Sequence, residues 1–307
     1  MAIVFFGTPQ FAIPSLKALI ASGEDIAAVV TRRDAAKGRG KKILPPPVKE
    51  LAVSHGLNVL QPASMKDPAF LSALKATGPE FIVVVAYGRI LTDEILAAPS
   101  IAPVNVHASL LPEYRGASPI AWAILNGGKM TGVTTMIMAR ELDAGDILLQ
   151  EATPINDEDT TETLSGRLSE MGAALLVKTL KGMREGTIKR VPQTGQSSYA
   201  PPLKKDDGLI NWDRPAKELH NFVRGMSPWP GAFTFLEGER LIITRAAAIS
   251  GQGRPGVIEK TRDELLAGTK EGFLKILEVQ PEGKKPMDTK AFLAGRHIKT
   301  GGSFANA

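Results

Sequence analysis

The 307 residues of this chain are 43% hydrophobic and 22% charged, an ordinary globular composition with room for one large domain or two average ones. A net charge of +5 tilts the molecule toward an anionic partner without establishing one. The absence of cysteine excludes disulfides, thiolate catalysis and cysteine metal sites, and the four histidines (His55, His107, His220, His297) are scattered without ligand spacing, so no metal is expected. The N-terminus lacks a basic n-region and a convincing cleavage site, and no stretch is long and uncharged enough to span a membrane. A cytoplasmic protein is expected.

Ala2 to Phe6 is a short apolar run. Gly7-Thr8-Pro9 turns it into a helix whose apolar residues Phe11, Ile13, Leu16, Leu19 and Ile20 recur mostly at helical spacing. Asp25 to Thr31 is a second strand, and this strand-helix-strand opening predicts a parallel, doubly wound α/β sheet. The turn lacks the Gly-x-Gly-x-x-Gly fingerprint, which disfavours a dinucleotide site and a nucleotide-dependent oxidoreductase. Residues 32–42 then carry six cations (Arg32, Arg33, Lys37, Arg39, Lys41 and Lys42) against Asp34 alone, closing on Pro45-Pro46-Pro47. Such a run is either a solvated loop or a basic segment that orders on a phosphate backbone. Val48 to His55 reads as a helix, Asn58 to Pro62 as a short strand, and Asp67 as the cap of a helix through Ala76. Phe81 to Ala86 is the most strand-like run, a buried central strand, with Tyr87-Gly88-Arg89-Ile90 at its C-terminal end.

Residues 102–119 concentrate the chemistry. An apolar run ends in Asn105 and His107, and a spacing of two along a strand points both side chains to one face. Leu110, Leu111 and Pro112 follow, then a polar turn with Arg115 and Gly116, then Ser118-Pro119 as a helix start and Gly127-Gly128 as its stop. Open α/β sheets place their chemistry at such strand ends. Val133 to Met138 is a further strand, running into the turn Asp143-Ala144-Gly145-Asp146, where Asp caps local amides and Gly accepts positive φ. If the two strands are neighbours, Asp143 reaches His107, and Asn105, His107 and Asp143 together supply an oxyanion donor, an imidazole and a carboxylate that holds it.

Thr160 or Thr161 with Glu162 begins a long helix with Leu164, Leu168, Met171, Leu175, Leu176 and Leu180 as its stripe, ended by Gly186. Residues 191–207 are polar and without period, and are expected to link a first domain (1–190) to a second (208–307). In the second, a helix from Ala216 to Arg224 precedes strands at Ala232 to Leu236, Leu241 to Ala247, Gly256 to Glu259 and Phe273 to Val279, with a helix over Asp288 to Leu293. Several short strands with a helix predict a small β-barrel. Trp229 is expected in core or turn packing, and the tail from Thr300 is expected to fray.

Asn-Val-His-Ala-Ser-Leu-Leu-Pro-Glu-Tyr-Arg-Gly-Ala-Ser-Pro-Ile, followed by Glu-Leu-Asp-Ala-Gly-Asp-Ile, resembles the core of the folate-dependent formyltransferases. Phe-Phe-Gly-Thr-Pro-Gln-Phe-Ala at the start and Val-Val-Val-Ala-Tyr-Gly-Arg-Ile-Leu in the middle extend the match. The resemblance implies 10-formyltetrahydrofolate as formyl donor, no metal, and an amine acceptor. Members acting on tRNA imply initiator Met-tRNA as the partner of a monomeric enzyme. It further implies that the backbone at Tyr87 and Gly88 lines the pterin pocket and that Ser109, Leu110, Leu111 and Pro112 contact the folate, although the last three are equally suited to core packing. Arg39, Lys41 and Lys42 fall in the loop that engages the tRNA acceptor arm in such members, and the C-terminal domain is implied to resemble an oligonucleotide-binding barrel. The purine-directed members lack both the basic loop and the C-terminal β domain. An amino-sugar formyltransferase and a non-catalytic RNA-binding protein stand as alternatives, the intact Asn105, His107 and Asp143 set arguing against the latter.

Overall fold

The computed structural model describes residues 2–37, 42–296 and 298–305, with only the backbone of Lys37 and Lys42. The chain forms two compact units: Met1–Pro119 with Met130–Pro154 and Ser165–Ala200, and Ile120–Lys129 with Ile155–Leu164 and Pro201–Ala307. Among the described residues no helix is long and apolar enough to cross a membrane.

The first unit is built on a seven-stranded sheet in the order Ile147–Pro154, Met130–Ile137, Ala102–His107, Pro79–Val85, Ala2–Gly7, Asp25–Val30, Val59–Leu60. The five strands from Ala102–His107 onward are parallel, and the first two are antiparallel additions. The pleat explains why the apolar runs are unbroken. Ile3, Phe5, Phe81, Val83 and Val85 pack against one set of helices through Leu16, Leu19, Val48, Ala52, Leu176 and Leu180. Their alternates Val4, Phe6, Ile82 and Val84 meet Phe70, Leu74 and Ile95 on the opposite face. Each large apolar side chain so buried contributes about 1.5–3 kcal/mol.

Local signals act where they were expected. Asp67 accepts from the Ala69 N–H and caps the helix Pro68–Ala76, and the helix Thr161–Arg184 is followed by Gly186 at φ 69°. The chain winds from Ala2–Gly7 toward one edge and later returns through Pro79–Val85 toward the other, so the order reverses between these two central strands. Ligand crevices of doubly wound sheets open at that point, beyond the carboxyl ends of the strands. The loops leaving the two strands meet there, with Thr8 Oγ1 donating to the Tyr87 carbonyl at 3.1 Å.

Within the basic stretch, Ala35–Lys37 and Lys42–Leu44 pair as antiparallel strands. Residues 191–200, which have no period in the sequence, are paired rather than loose. Val191 exchanges two backbone hydrogen bonds with Ile147 (2.8 and 2.9 Å), and Tyr199–Ala200 pairs in parallel with Arg115–Gly116. Partners so distant in the chain leave no local period.

The second unit carries an antiparallel half-barrel sheet ordered Ala232–Leu236, Glu239–Ile249, Phe273–Pro281, Leu265–Gly268, Ile258–Lys260, with Met287–Asp288 beside Phe273–Pro281. The strand at Leu265–Gly268 was not anticipated. Helix Ala216–Gly225 covers the core with Leu219, Phe222 and Val223. The tail is docked rather than frayed: Phe304 bridges Leu236 and Ser303 bridges Val257, joining the two edges of the sheet. Phe304 is buried and stacks on Trp212 at 5.3 Å between centroids. Trp212, fully enclosed, is the core tryptophan. Trp229 lies in the turn after the helix and is 57% exposed.

Candidate active site

The candidate site sits in the first unit, at the carboxyl end of Ala102–His107. That strand lies between Pro79–Val85, where Val84 aligns with Asn105, and Met130–Ile137, where Met136 aligns with Asn105 and Thr134 with His107. The strand carrying His107 and the one leading to Asp143 are therefore hydrogen-bonded neighbours. His107 Nδ1 lies 3.7 Å from Asp143 Oδ2, with the two side chains 7% and 14% exposed. The other ring nitrogen, Nε2, is 2.9 Å from the carbonyl of Tyr114. A carbonyl only accepts, so Nε2 carries a proton, and the Nδ1 contact is an ion pair only when the ring is protonated at both nitrogens. Asn105 is half-buried, and its amide makes no hydrogen bond to another described residue. Two positions apart on an extended strand, its amide and the imidazole share a face.

Asp143 is held on its other side. Its Oδ2 accepts from the Gly116 N–H at 2.8 Å, which joins the turn to the loop behind His107. The left-handed residue of the turn is Asp143 itself (φ 50°), not Gly145. Glycine is needed at 145 for a different reason, because a Cβ there would lie 1.9 Å from the Ile137 carbonyl oxygen. Tyr114 is a second non-glycine in the left-handed region (φ 56°), a conformation that clusters at functional sites. Asp146 contributes through its backbone, its carbonyl accepting from the Ile137 N–H at 2.9 Å.

The stretch after His107 is locked from several directions. Ser109 is buried, and its hydroxyl donates to the Glu113 carbonyl at 2.6 Å. Leu111 is also buried; its N–H donates to Thr134 Oγ1 at 3.1 Å and its carbonyl accepts from Gln150 Nε2 at 2.9 Å. Leu110 and Pro112 are half-buried, so their side chains keep the exposed area that an apolar wall needs. Tyr87 is core: its ring packs edge-on to Phe6 at 5.2 Å, and burial pushes the phenol above its ordinary pKa against the pull of Arg89 and Arg32. Its side chain, 2% exposed, is therefore not offered to a ligand, and Gly88 follows it at φ 79°. Arg39 and Lys41 lie outside the described residues. Lys42 begins the strand Lys42–Leu44, its side chain undescribed.

Thus His107 and Asp143 are brought together with Asn105 beside them, while the supports Tyr114, Gly116, Thr134 and Gln150 were missed in the sequence. Only Gly116 had a visible signal, as the glycine of a polar turn. Among the described residues no three histidines and carboxylates cluster as a metal site.

An amide and an imidazole–carboxylate pair at the carboxyl end of a strand one removed from the switch point of a doubly wound sheet suit an acyl-type group transfer. Residues 1–180 match the formyl transferase family and residues 202–297 the formyl transferase C-terminal domain, and the chain belongs to this family of formyl-transferring enzymes. Its relatives include the methionyl-tRNA formyltransferase of Thermodesulfovibrio yellowstonii, 54% identical over 299 residues that cover 97% of each chain. Among solved structures, the fold is similar to that of WlaRD, a sugar 3N-formyl transferase crystallised with dTDP and 5-N-formyl-THF. The TM-score is 0.70 at 20% identity, over 93% of this chain and 99% of that one. HypX from Aquifex aeolicus, crystallised with tetrahydrofolic acid, matches with a TM-score of 0.65 at 17% identity over 95% of this chain, which spans 46% of HypX.

Proposed function

We propose that the protein transfers the formyl group of 10-formyltetrahydrofolate to the α-amino group of methionine carried by initiator tRNA. The observation that supports the reaction is the Asn105 amide, without a hydrogen-bond partner among the described residues, beside the His107–Asp143 pair, whose Nδ1 and Oδ2 are 3.7 Å apart. What supports the acceptor is the 54% identity, from end to end, to a relative named for it.

In this reading the amine nitrogen attacks the formyl carbon and the formyl oxygen becomes an oxyanion. Asn105 donates an N–H to it, and one such donor is worth about 3 kcal/mol in the barrier. His107 supplies a second donor, and the arriving oxyanion competes with the Tyr114 carbonyl for the Nε2 proton. Collapse breaks the bond between the formyl carbon and N10. The proton lost by the amine passes through water and the Asp143 carboxylate, and N10 gains one, so the exchange balances. The backbone at Tyr87 and Gly88 and the Ser109 to Pro112 stretch bind the folate. Arg39, Lys41 and Lys42 engage the tRNA, and the C-terminal residues 208–307 add affinity by charge and shape.

The test is formyl transfer from 10-formyltetrahydrofolate to three acceptors: initiator Met-tRNA, free methionine and an amino-sugar nucleotide. Transfer to Met-tRNA at a kcat/KM at least about a hundredfold above the others is expected, a gap of roughly 3 kcal/mol. Preferred transfer to the sugar nucleotide would replace the acceptor while keeping the chemistry.

A further inference from the structure

Gln193 occupies the segment expected as featureless linker, yet its amide spans the two loops that carry the candidate site. Its Oε1 accepts from Arg115 Nε at 3.1 Å and from Nη2 at 2.7 Å. Its Nε2 donates to the carbonyls of Asp143 and Gly145, both at 2.8 Å. Arg115 and Gly116 belong to the loop behind His107, and the Gly116 N–H is the group that holds the Asp143 carboxylate at 2.8 Å. The segment around Gln193 is itself fastened, by Val191 to Ile147 and by Ser198, whose Oγ accepts from the Tyr114 N–H at 2.8 Å.

We infer that Gln193 is a positioning residue for the transfer reaction, acting through Asp143. The inference rests on the assignment of Asp143 proposed above. A primary amide alone suits this place, since it offers an acceptor toward a guanidinium and two donors toward two carbonyls at once. The donors fasten the backbone of the turn where Asp143 adopts its left-handed conformation (φ 50°), a region uncommon for non-glycine residues. Loosening the turn moves the carboxylate relative to both the Gly116 N–H and the imidazole. A misplacement of about 1 Å can cost about a hundredfold in rate.

Gln193→Glu separates the two halves of the bridge. It keeps the acceptor for Arg115 but sets an oxygen against two carbonyl oxygens. Gln193→Ala removes both halves without adding charge, and is the variant to read if the Glu protein melts much earlier than wild type. Each is made in the full chain, alone and combined with Asp143→Asn, with kcat and KM for both substrates measured beside thermal melting. In the wild-type background kcat falls about tenfold to a hundredfold, with the donor KM changed by less than about threefold. In the Asp143→Asn background the same change lowers kcat by less than about twofold, because the charge it places is already absent. A Gln193 variant that folds and turns over within about twofold of wild type overturns the inference, as does an equal loss in both backgrounds. A crippled Asp143→Asn beside an active Gln193 variant defeats this inference alone. A fully active Asp143→Asn defeats the assignment of Asp143 and this inference with it.

Discussion

Asp143→Asn isolates charge from shape at the candidate site. The carboxylate has two tasks, accepting the Gly116 N–H at 2.8 Å and facing His107 Nδ1 at 3.7 Å. Asparagine keeps an oxygen for the first and loses the charge needed for the second. At this separation, with the effective dielectric of about 20 that suits partly buried pairs, two unit charges attract by about 4.5 kcal/mol. Both side chains are at least 86% buried, so water screens the pair little. The amide dipole recovers part of the attraction, which leaves an expected loss in kcat of about a hundredfold to a thousandfold at 1.4 kcal/mol per decade. The donor KM is expected to change little, and Tm by no more than about 4 °C, which corresponds to roughly 1 kcal/mol in a domain of this size. Single-turnover formyl transfer with saturating donor and initiator Met-tRNA reads the chemical step directly. A folded variant within about threefold of wild type would refute the reasoning, since no charge on Asp143 would then be felt in the transition state.

Gly145→Ala places a methyl 1.9 Å from the Ile137 carbonyl oxygen, so the turn must open, at a cost of about 1–3 kcal/mol in urea unfolding together with lost turnover. An unchanged midpoint and rate would show slack in the turn. Phe304→Ala, which removes the ring stacked on Trp212, should destabilise the second unit by about 3–5 kcal/mol. Tryptophan fluorescence during unfolding checks this, and a loss below about 1 kcal/mol would detach the tail from the core. Burial, reinforced by the Arg224 charge, holds the His220 imidazole below its ordinary 6.5 against the pull of Glu158 and Asp157. Between that lowered value and 6.5 the unfolded chain binds a proton that the folded chain does not. Stability therefore rises with pH across this window and is lost on acidification. His220→Gln should flatten the pH dependence of Tm on acidification below 6.5, and an unchanged slope would assign it to other groups.

What could be read from the chain alone was whatever leaves a local pattern. Unbroken apolar runs at residues 2–6 and 81–85 announce strands buried on both faces, because alternate side chains enter opposite cores. Asp67 announces its helix because a cap acts two residues away. The spacing of Asn105 and His107 announces a shared face for the same reason of short range. The sequence also showed a tight turn at 143–146, but neither that Asp143 is its left-handed residue nor that the carbonyl of Ile137 crowds position 145.

Where the long-range polar partners fall emerges only in three dimensions. Gln193 meets Asp143 and Arg115 across 50 and 78 residues of chain, and Phe304 finds Trp212 from a glycine-rich tail that resembles a frayed end. No periodicity links such positions. A hydrogen bond or a ring stack constrains two points of the chain and leaves everything between them free, so the sequence around each is silent about the other. The fold class, the strand ends and the candidate chemistry followed from the order of residues. The fastening of Asp143 and the closing of the second unit by its own tail followed from packing, which fixes partners by distance in space and not by distance along the chain.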